Sequence, residues 1–315
     1  MCAVGRTGSP PVVAVLGPTA SGKSALGLAL ADRLGGEIIN CDSTAVYRGF
    51  DIGTDKVSLE ERRGIPHHLI DVVDPTEVYT AAQYGRDAAA AIREILSRGR
   101  VPILVGGTGF YFRALTRGLF PGPGRDEALR ARLSVIAGRR GVEHLWRMVR
   151  RIDPDSALRI QPRDRVRLVR ALEVYFLTGT PLTTHFAATR SPLDFCDVVA
   201  IGLRIPAALT AERVARRVDQ QFARGLMDEV RALLAAGVPE TARPFGGLVY
   251  RQALELLHGV RDEAATRALI AQENRHYARR QLIWFRKEPT LRWFDGPGES
   301  PEVLARVLDS LQARQ

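Results

Sequence analysis

Lysine is nearly absent from this chain of 315 residues: Lys23, Lys56 and Lys287 are its only ones, so arginine carries almost all the positive charge. Cysteine is as scarce. Cys2, Cys41 and Cys196 are too few and too scattered for a disulfide framework or a zinc site, which points to a reducing cytosol. No apolar run approaches the length of a membrane span, so no membrane partner is expected. Met1 to Pro11 lacks the apolar centre of a secretory leader, and the expected location is the cytoplasm. Internal repeats and low-complexity tracts are missing too, which argues against a repeat architecture.

What the chain does have is charge of one sign. The formal net charge is +10 and the isoelectric point about 10.1. An excess of cationic side chains attracts phosphate backbones, so a polyanionic partner is one explanation. A codon-biased genome that favours arginine is the other.

Near the N-terminus, Gly17-Pro18-Thr19-Ala20-Ser21-Gly22-Lys23-Ser24 fits the phosphate-loop pattern GxxxxGK[ST] at every fixed position. An apolar strand candidate, Val12 to Leu16, precedes it and a helix-like run from Ala25 to Leu34 follows. That context argues against a chance match. Backbone N–H groups and the positive end of the helix suit phosphate oxygens, with Lys23 as a point charge and Ser24 as a hydroxyl for Mg²⁺.

The first third alternates strand and helix signals. Strand runs at Val12–Leu16, Glu37–Cys41 and Val101–Val105 are separated by helices, the second of them from about Ala81 to Arg98. This is βαβ wiring, which implies a mostly parallel sheet with ligands beyond the carboxyl ends of its strands. Gly17, Asp42 and Gly106-Gly107-Thr108 follow such ends and should converge on one crevice. After Pro121 helical runs take over, among them Asp126–Arg140 and Arg163–Leu177, until a strand run returns at Val198–Leu203. The fold class expected is α/β, a phosphate-loop parallel-sheet core flanked by helices, covering 1–122 and 198–315, with a helical insertion over 123–197. Thr210 is expected to cap a helix through Arg224, and a last long helix runs from about Asp262 to Lys287.

A phosphate-loop ATPase or kinase needs a second strand ending in Asp to position Mg²⁺ and water. Here Val101–Val105 ends in two glycines, and Leu69-Ile70-Asp71 has only two apolar residues before its acid. The nearest strand-end carboxylate is Asp42. Beside a phosphate cradle it can serve as a general base, cap the next segment or help hold a metal.

Seven segments in order resemble the tRNA dimethylallyltransferases: Gly17–Ser24, Asp42–Tyr47, Asp51–Lys56, Pro66–Asp71, Val105–Tyr111, Arg170–Tyr175 and Arg280–Arg286. The resemblance runs from about Val12 to Phe294. It implies an enzyme that moves a dimethylallyl group from dimethylallyl diphosphate to the exocyclic N6 of the adenosine next to the anticodon of tRNA. Diphosphate then leaves, which explains why no acidic second strand aims water at a γ-phosphate. The resemblance implies diphosphate binding by Gly17, Pro18, Thr19, Ala20, Ser21, Gly22, Lys23, Ser24 and Arg217, with Mg²⁺ near Ser24. It makes Asp42 the base, Thr108 the hydrogen-bond donor to the bridging oxygen and Lys23 a catalytic charge. The flipped adenosine would meet Asp42, Ser43, Thr44, Ala45 and Thr108. Further tRNA contacts are implied at Arg130, Val166, Arg167, Leu168, Val169, Arg170, Tyr250 and Arg251, with the helical insertion over 123–197 serving tRNA binding, in a protein acting as a monomer.

The last helix adds Arg275, Arg279 and Arg286 with Tyr277, Trp284 and Phe285 nearby, a mixture suited to RNA loops unless the aromatics are core. Departures from the family are Ala45 at a position often Gln, Asp55-Lys56-Val57 for the usual Ala-Lys-Pro and, on the RNA side, Leu248-Val249-Tyr250-Arg251, which lacks a glycine, with Asn274-Arg275 for Thr-Arg and Ile283 for a later Thr. Competing readings are an adenylate prenyltransferase acting on free AMP, ADP or ATP, a small-molecule kinase, and a binding protein with a degenerate site.

Overall fold

A computed structural model describes residues 11–313; the N-terminal leader reading and Cys2 lie outside the described residues. The chain divides into two compact units, Met1–Thr116 with Pro192–Gln315, and Arg117–Ser191. The edges read from sequence, 123 and 197, fall a few residues further along. Segments flanking the insertion carry proline and glycine on both sides, so punctuation alone does not say which residues pack with which unit.

The larger unit begins β1 (Pro11–Leu16), α1 (Lys23–Leu34), β2 (Gly36–Asn40), β3 (His67–His68), α2 (Ala81–Ser97), β4 (Val101–Gly106) and α3 (Gly109–Arg117). The helical unit holds α4 (Glu127–Arg140), α5 (Val142–Ile152), α6 (Pro154–Arg159), α7 (Arg165–Thr178) and α8 (Leu182–Ala187). The chain then returns with β5 (Asp197–Arg204), α9 (Ala207–Ala223), α10 (Leu226–Ala235), a 3₁₀ turn at Arg243–Gly246, α11 (Leu248–Leu257), α12 (Glu263–Phe285), β6 (Leu291–Asp295) and α13 (Pro301–Gln312). Thr210 lies inside α9 rather than capping it. Its hydroxyl donates to Pro206 O, and the helix starts directly after that proline, whose fixed φ suits a helix entry.

All six strands run parallel in the order β3-β2-β4-β1-β5-β6. From β1 the chain crosses toward β2, and from β5 it crosses toward β6 on the opposite side. The carboxyl ends of the central strands therefore open a crevice. Strand residues alternate between two apolar layers: Val12, Ala14 and Leu16 face one, Val13 and Val15 the other. Helices α1 and α13 cover the second layer through Leu26, Leu30, Val303 and Val307. On the first, Tyr84, Ile92, Val214, Val230 and Ile270 come from α2, α9, α10 and α12. A sheet buried on both faces needs apolar runs rather than strict alternation, which is what β1, β2, β4 and β5 supply.

The helical unit has its own core, built on Leu133, Leu145, Val149, Leu168, Leu172 and Val174. At its centre Glu173 is fully buried. Arg130 and Arg170 both bond its carboxylate, and Asp126 N–H donates to it at 2.9 Å. Burial opposes ionisation of Glu173, but these donors outweigh it and carry the carboxyl down to about 2.

Candidate active site

The phosphate loop leaves β1 at Gly17 and enters α1 through Gly22, whose left-handed φ of 84° starts the helix without a side-chain cap. The first-turn N–H groups of α1 are thus left for an anion. Inside the loop, Lys23 Nζ donates to Pro18 O at 2.6 Å. Burial of the ammonium and then the positive charge of Arg217 push the Lys23 pKa down to about 7, with Asp42 acting weakly in the opposite sense. A phosphate at this point would restore the charge.

Two elements from far along the chain close the loop from outside. Arg217, on α9, donates to Thr19 Oγ1 at 2.8 Å and pairs with Asp55 at 3.3 Å. Gln281, on α12, accepts from Thr19 N at 2.8 Å and donates to Gly107 O at 2.9 Å. One side-chain amide thereby couples the phosphate loop to the loop after β4. Crowding requires the first glycine there: a Cβ on Gly106 would stand 2.1 Å from Cys41 O, whereas one on Gly107 would meet the end of the Gln281 side chain. No side chain, acidic or otherwise, fits at Gly106, where β4 ends.

Asp42 follows β2, and Asn40 shapes its backbone by bonding Asp42 N and Leu69 O. Asp42 Oδ1 accepts from Thr44 N at 2.8 Å and Thr44 Oγ1 at 2.6 Å, with Ala45 N at 3.4 Å. The capping role weighed from sequence is therefore present, and it uses one oxygen only. Oδ2 takes no hydrogen bond among the described residues. Thr108 Oγ1 accepts from Ser43 N at 3.1 Å, so the two strand-end loops that carry Asp42 and Thr108 hold each other.

These loops surround a cleft of about 660 Å³ lined by Thr19, Lys23, Ser24, Asp42, Arg217 and Gln281, among others. Asp55 also lines it, with burial raising its pKa against the pull of Arg217 and Gln221. Tyr277 stands on the α12 side, beside Thr108 and Gln281; burial and then the Asp42 charge push its phenol up, so it stays a neutral hydrogen-bonding group. No three His, Cys, Asp or Glu side chains converge as a metal cage among the described residues. The Ser24 hydroxyl lines the cleft and fits Mg²⁺, which is commonly held by one or two protein oxygens together with substrate phosphates.

The other expected contacts separate into three groups. Ser43, Thr44 and Ala45 line the cleft as expected, as does Arg251, which bonds Glu273 at 2.9 Å and stays half exposed. Val166 and Arg167 lie exposed at the start of α7. Of the rest, Leu168 and Val169 need correction as surface contacts, while Arg130 and Arg170 keep part of their side chains exposed. Leu168 and Val169 point into the core of the helical unit, and Arg130 and Arg170 are committed to Glu173. Tyr250 is largely buried but lines the cleft, and its hydroxyl accepts from Gly53 N and donates to Glu229, so it also shapes the 51–53 turn. On α12 both readings hold in part: Phe285 is core, while Arg275, Arg279 and Arg286 are exposed.

Sequence reasoning passed over Gln281, Asn40 and Asp55 as site residues. The available signal for Gln281 was a polar side chain at an α12 position whose neighbours Ala278 and Phe285 are inward. A lone amide on an apolar stripe has to be satisfied somewhere.

Comparison with known proteins is consistent with this geometry. The family model for IPP transferase matches residues 45–288. The tRNA dimethylallyltransferase of Solibacter usitatus is 48% identical over 302 residues, covering 95% of this chain and 97% of its own length. That of Geobacter metallireducens is 46% identical over 297 residues, covering 94% and 96%. Among solved structures, the tRNA isopentenylpyrophosphate transferase of Bacillus halodurans aligns with a TM-score of 0.72 at 36% identity, over 97% of this chain and 96% of its own. A eukaryotic dimethylallyltransferase acting on tRNA aligns at 0.74 with 26% identity, over 97% and 78%. A family match across most of the length, on a parallel sheet whose phosphate loop faces a strand-end carboxylate, leaves one assignment: the chain belongs to the IPP transferase family.

Proposed function

We infer that this protein is a tRNA dimethylallyltransferase, taking the prenyl group from dimethylallyl diphosphate and placing it on N6 of the adenosine next to the anticodon. The observation that carries this reading is the division of labour in Asp42. One carboxylate oxygen is fixed by Thr44 and Ala45 while the other is open, in a cleft shared with the phosphate loop. A carboxylate held this way can take a proton without losing its orientation.

In the proposed reaction the diphosphate lies on the loop N–H groups from Thr19 to Ser24, with Lys23 and Arg217 matching its charge. N6 of a flipped adenosine attacks the allylic carbon, the N–C bond forms as the C–O bond breaks, and the N6 proton passes to Asp42 Oδ2. The Thr108 hydroxyl accepts from Ser43 N at 3.1 Å and donates to Ser43 Oγ at 3.4 Å, a long bond that it would exchange for one to the bridging oxygen of the leaving diphosphate. Tyr277 and Gln281 line the same wall and help exclude water. Bound Mg²⁺, held through Ser24 and the diphosphate, would supply charge neutralisation for the leaving group. Gly106 and Gly107 stand at the end of β4 in place of the acidic residue with which an ATPase positions water, which favours departure of the diphosphate over its transfer. Adenosine unstacks most cheaply in a single-stranded loop, which suits an anticodon loop.

The test is incubation with labelled dimethylallyl diphosphate and either unmodified tRNA carrying consecutive adenosines in its anticodon loop or free AMP. Label is expected in tRNA. Label in AMP alone would reassign the protein as an adenylate prenyltransferase, and ATP hydrolysis without prenyl transfer would reassign it as a kinase-like enzyme. Asp42→Asn should lower kcat by about 10² or more while donor binding stays within about twofold; full activity in that variant would remove Asp42 as the base.

A further inference from the structure

Asp55 puts a carboxylate beside the cationic end of the cleft, and it is one of the chain's departures from its family. The turn that presents it is fixed from three sides. Glu229 accepts from Asp51 N at 3.0 Å and Ile52 N at 2.8 Å, Tyr250 Oη accepts from Gly53 N at 3.0 Å, and buried Lys56 donates to Asp51 at 2.7 Å and to Asp71. Asp55 itself has a left-handed φ of 53°, which aspartate and asparagine tolerate better than most side chains. The backbone that carries this carboxylate is over-determined by its surroundings.

Its carboxylate is set against Arg217. Asp55 Oδ2 lies 3.3 Å from Arg217 Nη1 and accepts from Gln221 Nε2 at 3.0 Å; Arg217 and Gln221 are four apart on α9 and share a face. The same Arg217 nitrogen donates to Thr19 Oγ1 of the phosphate loop at 2.8 Å. Arg217 is thus held over the loop by a group that also neutralises it. Burial pushes the Asp55 carboxyl up against the pull of Arg217, Gln221 and Arg224, and the Asp42 charge adds a smaller push.

We propose that Asp55 is a positioning residue that competes with diphosphate for Arg217: it holds the guanidinium ready over the phosphate loop in the empty cleft and weakens the grip of the cleft on diphosphate. This rests on the reading above, in which Arg217 and the loop hold the diphosphate of the donor. A guanidinium bonds an oxyanion best through a parallel pair of N–H groups. A diphosphate that takes Arg217 in this way must displace Asp55 or share the cation with it, and in both cases one negative charge stands against another. The penalty falls on the donor and on the released diphosphate alike, because both carry the same head. In a reaction that ends with diphosphate on the loop, a looser grip speeds the emptying of the site. A role for Asp55 as a ligand of Mg²⁺ fits less well, since its Oδ2 already faces a guanidinium and an amide N–H.

The experiment measures binding of inorganic diphosphate to the full chain by titration calorimetry with Mg²⁺ present at about pH 7.5, above the usual carboxylate range, for the wild type, D55N, D55E, R217Q and D55N/R217Q. D55N should bind about fivefold more tightly, whereas damage to the turn would weaken binding. D55E should return the affinity toward that of the wild type. In the R217Q background the gain from D55N should vanish, because the cation that Asp55 neutralises is gone. Inhibition of tRNA prenylation by added diphosphate should strengthen in D55N by the same factor. If D55N is poorly folded by circular dichroism, D55A is expected to show the same gain. Unchanged affinity in D55N and D55A overturns the proposal, as does a gain that persists without Arg217. Weaker binding in D55N with a raised Mg²⁺ requirement overturns it in favour of a metal-holding role. Each of these results, in a wild type that prenylates tRNA, leaves the enzyme assignment standing. A wild type that binds neither inorganic diphosphate nor dimethylallyl diphosphate overturns both.

Discussion

Lys23 shows how a single residue in a phosphate loop is tuned by its surroundings. Its pKa of about 7 means that near pH 8 most of the free protein carries a neutral amine there. A bound diphosphate favours the ammonium, so binding raises the pKa and takes up a proton. Donor affinity should therefore be greatest below about pH 7 and fall as pH rises above it, because the proton must then be drawn from solution. Titration calorimetry at pH 8 in buffers of different ionisation enthalpy should give heats that differ by close to one proton. Buffer-independent heats would show that Lys23 is charged before the donor arrives. Asp42 is the complementary case, since its tie to Thr44 and Ala45 was legible only as an alternative to catalysis. The structure shows that one carboxylate does the capping with one oxygen and leaves the other available.

At the level of elements, α12 ties the site together. Gln281 contacts both the phosphate loop and the β4 loop, and replacing it with alanine leaves Thr19 N–H and Gly107 C=O without their partner. Gln281→Ala should cost about 1 to 3 kcal/mol in stability and raise donor KM about tenfold, with a smaller change in kcat. An unchanged KM would mean that the loop holds its shape unaided. The sequence made β1, β2, β4 and β5 readable because apolar runs next to glycine-rich turns have few other uses. It did not reveal β3 or β6. His67–His68 is two residues long, and β6 places Arg292 outward between Leu291 and Trp293, so neither has the buried signature of a central strand. The RNA side was less legible for a related reason. An arginine that neutralises a buried Glu173 and one that waits for a phosphate are the same letter at the same helical spacing, and only the position of the carboxylate distinguishes them.

Across the whole molecule the chain builds two separate apolar cores, one on the sheet and one among α4 to α8. Each unit should unfold in its own transition, since cooperativity extends only as far as shared packing. Glu173 belongs to one core alone and provides the marker. Its carboxyl sits near 4.5 when unfolded and about 2 when folded. The stabilisation is complete above about pH 4.5 and disappears as pH falls toward 2. Scanning calorimetry should resolve two transitions, with Glu173→Gln lowering only one of them by about 3 kcal/mol and flattening its acid dependence. A single transition shifted as a whole would show that the two cores unfold together.

The contacts of the phosphate loop also set a schedule for the growing chain. Its eight residues are made long before their partners: Thr19 waits for Gln281 and Ser21 for Gly298, while β1 waits for β5. Pairing over such distances in sequence is slow to form. A nascent chain halted before α12 would expose a glycine-rich loop and the edge of β5 that β6 later covers, so the donor site is completed only after α12 has been made.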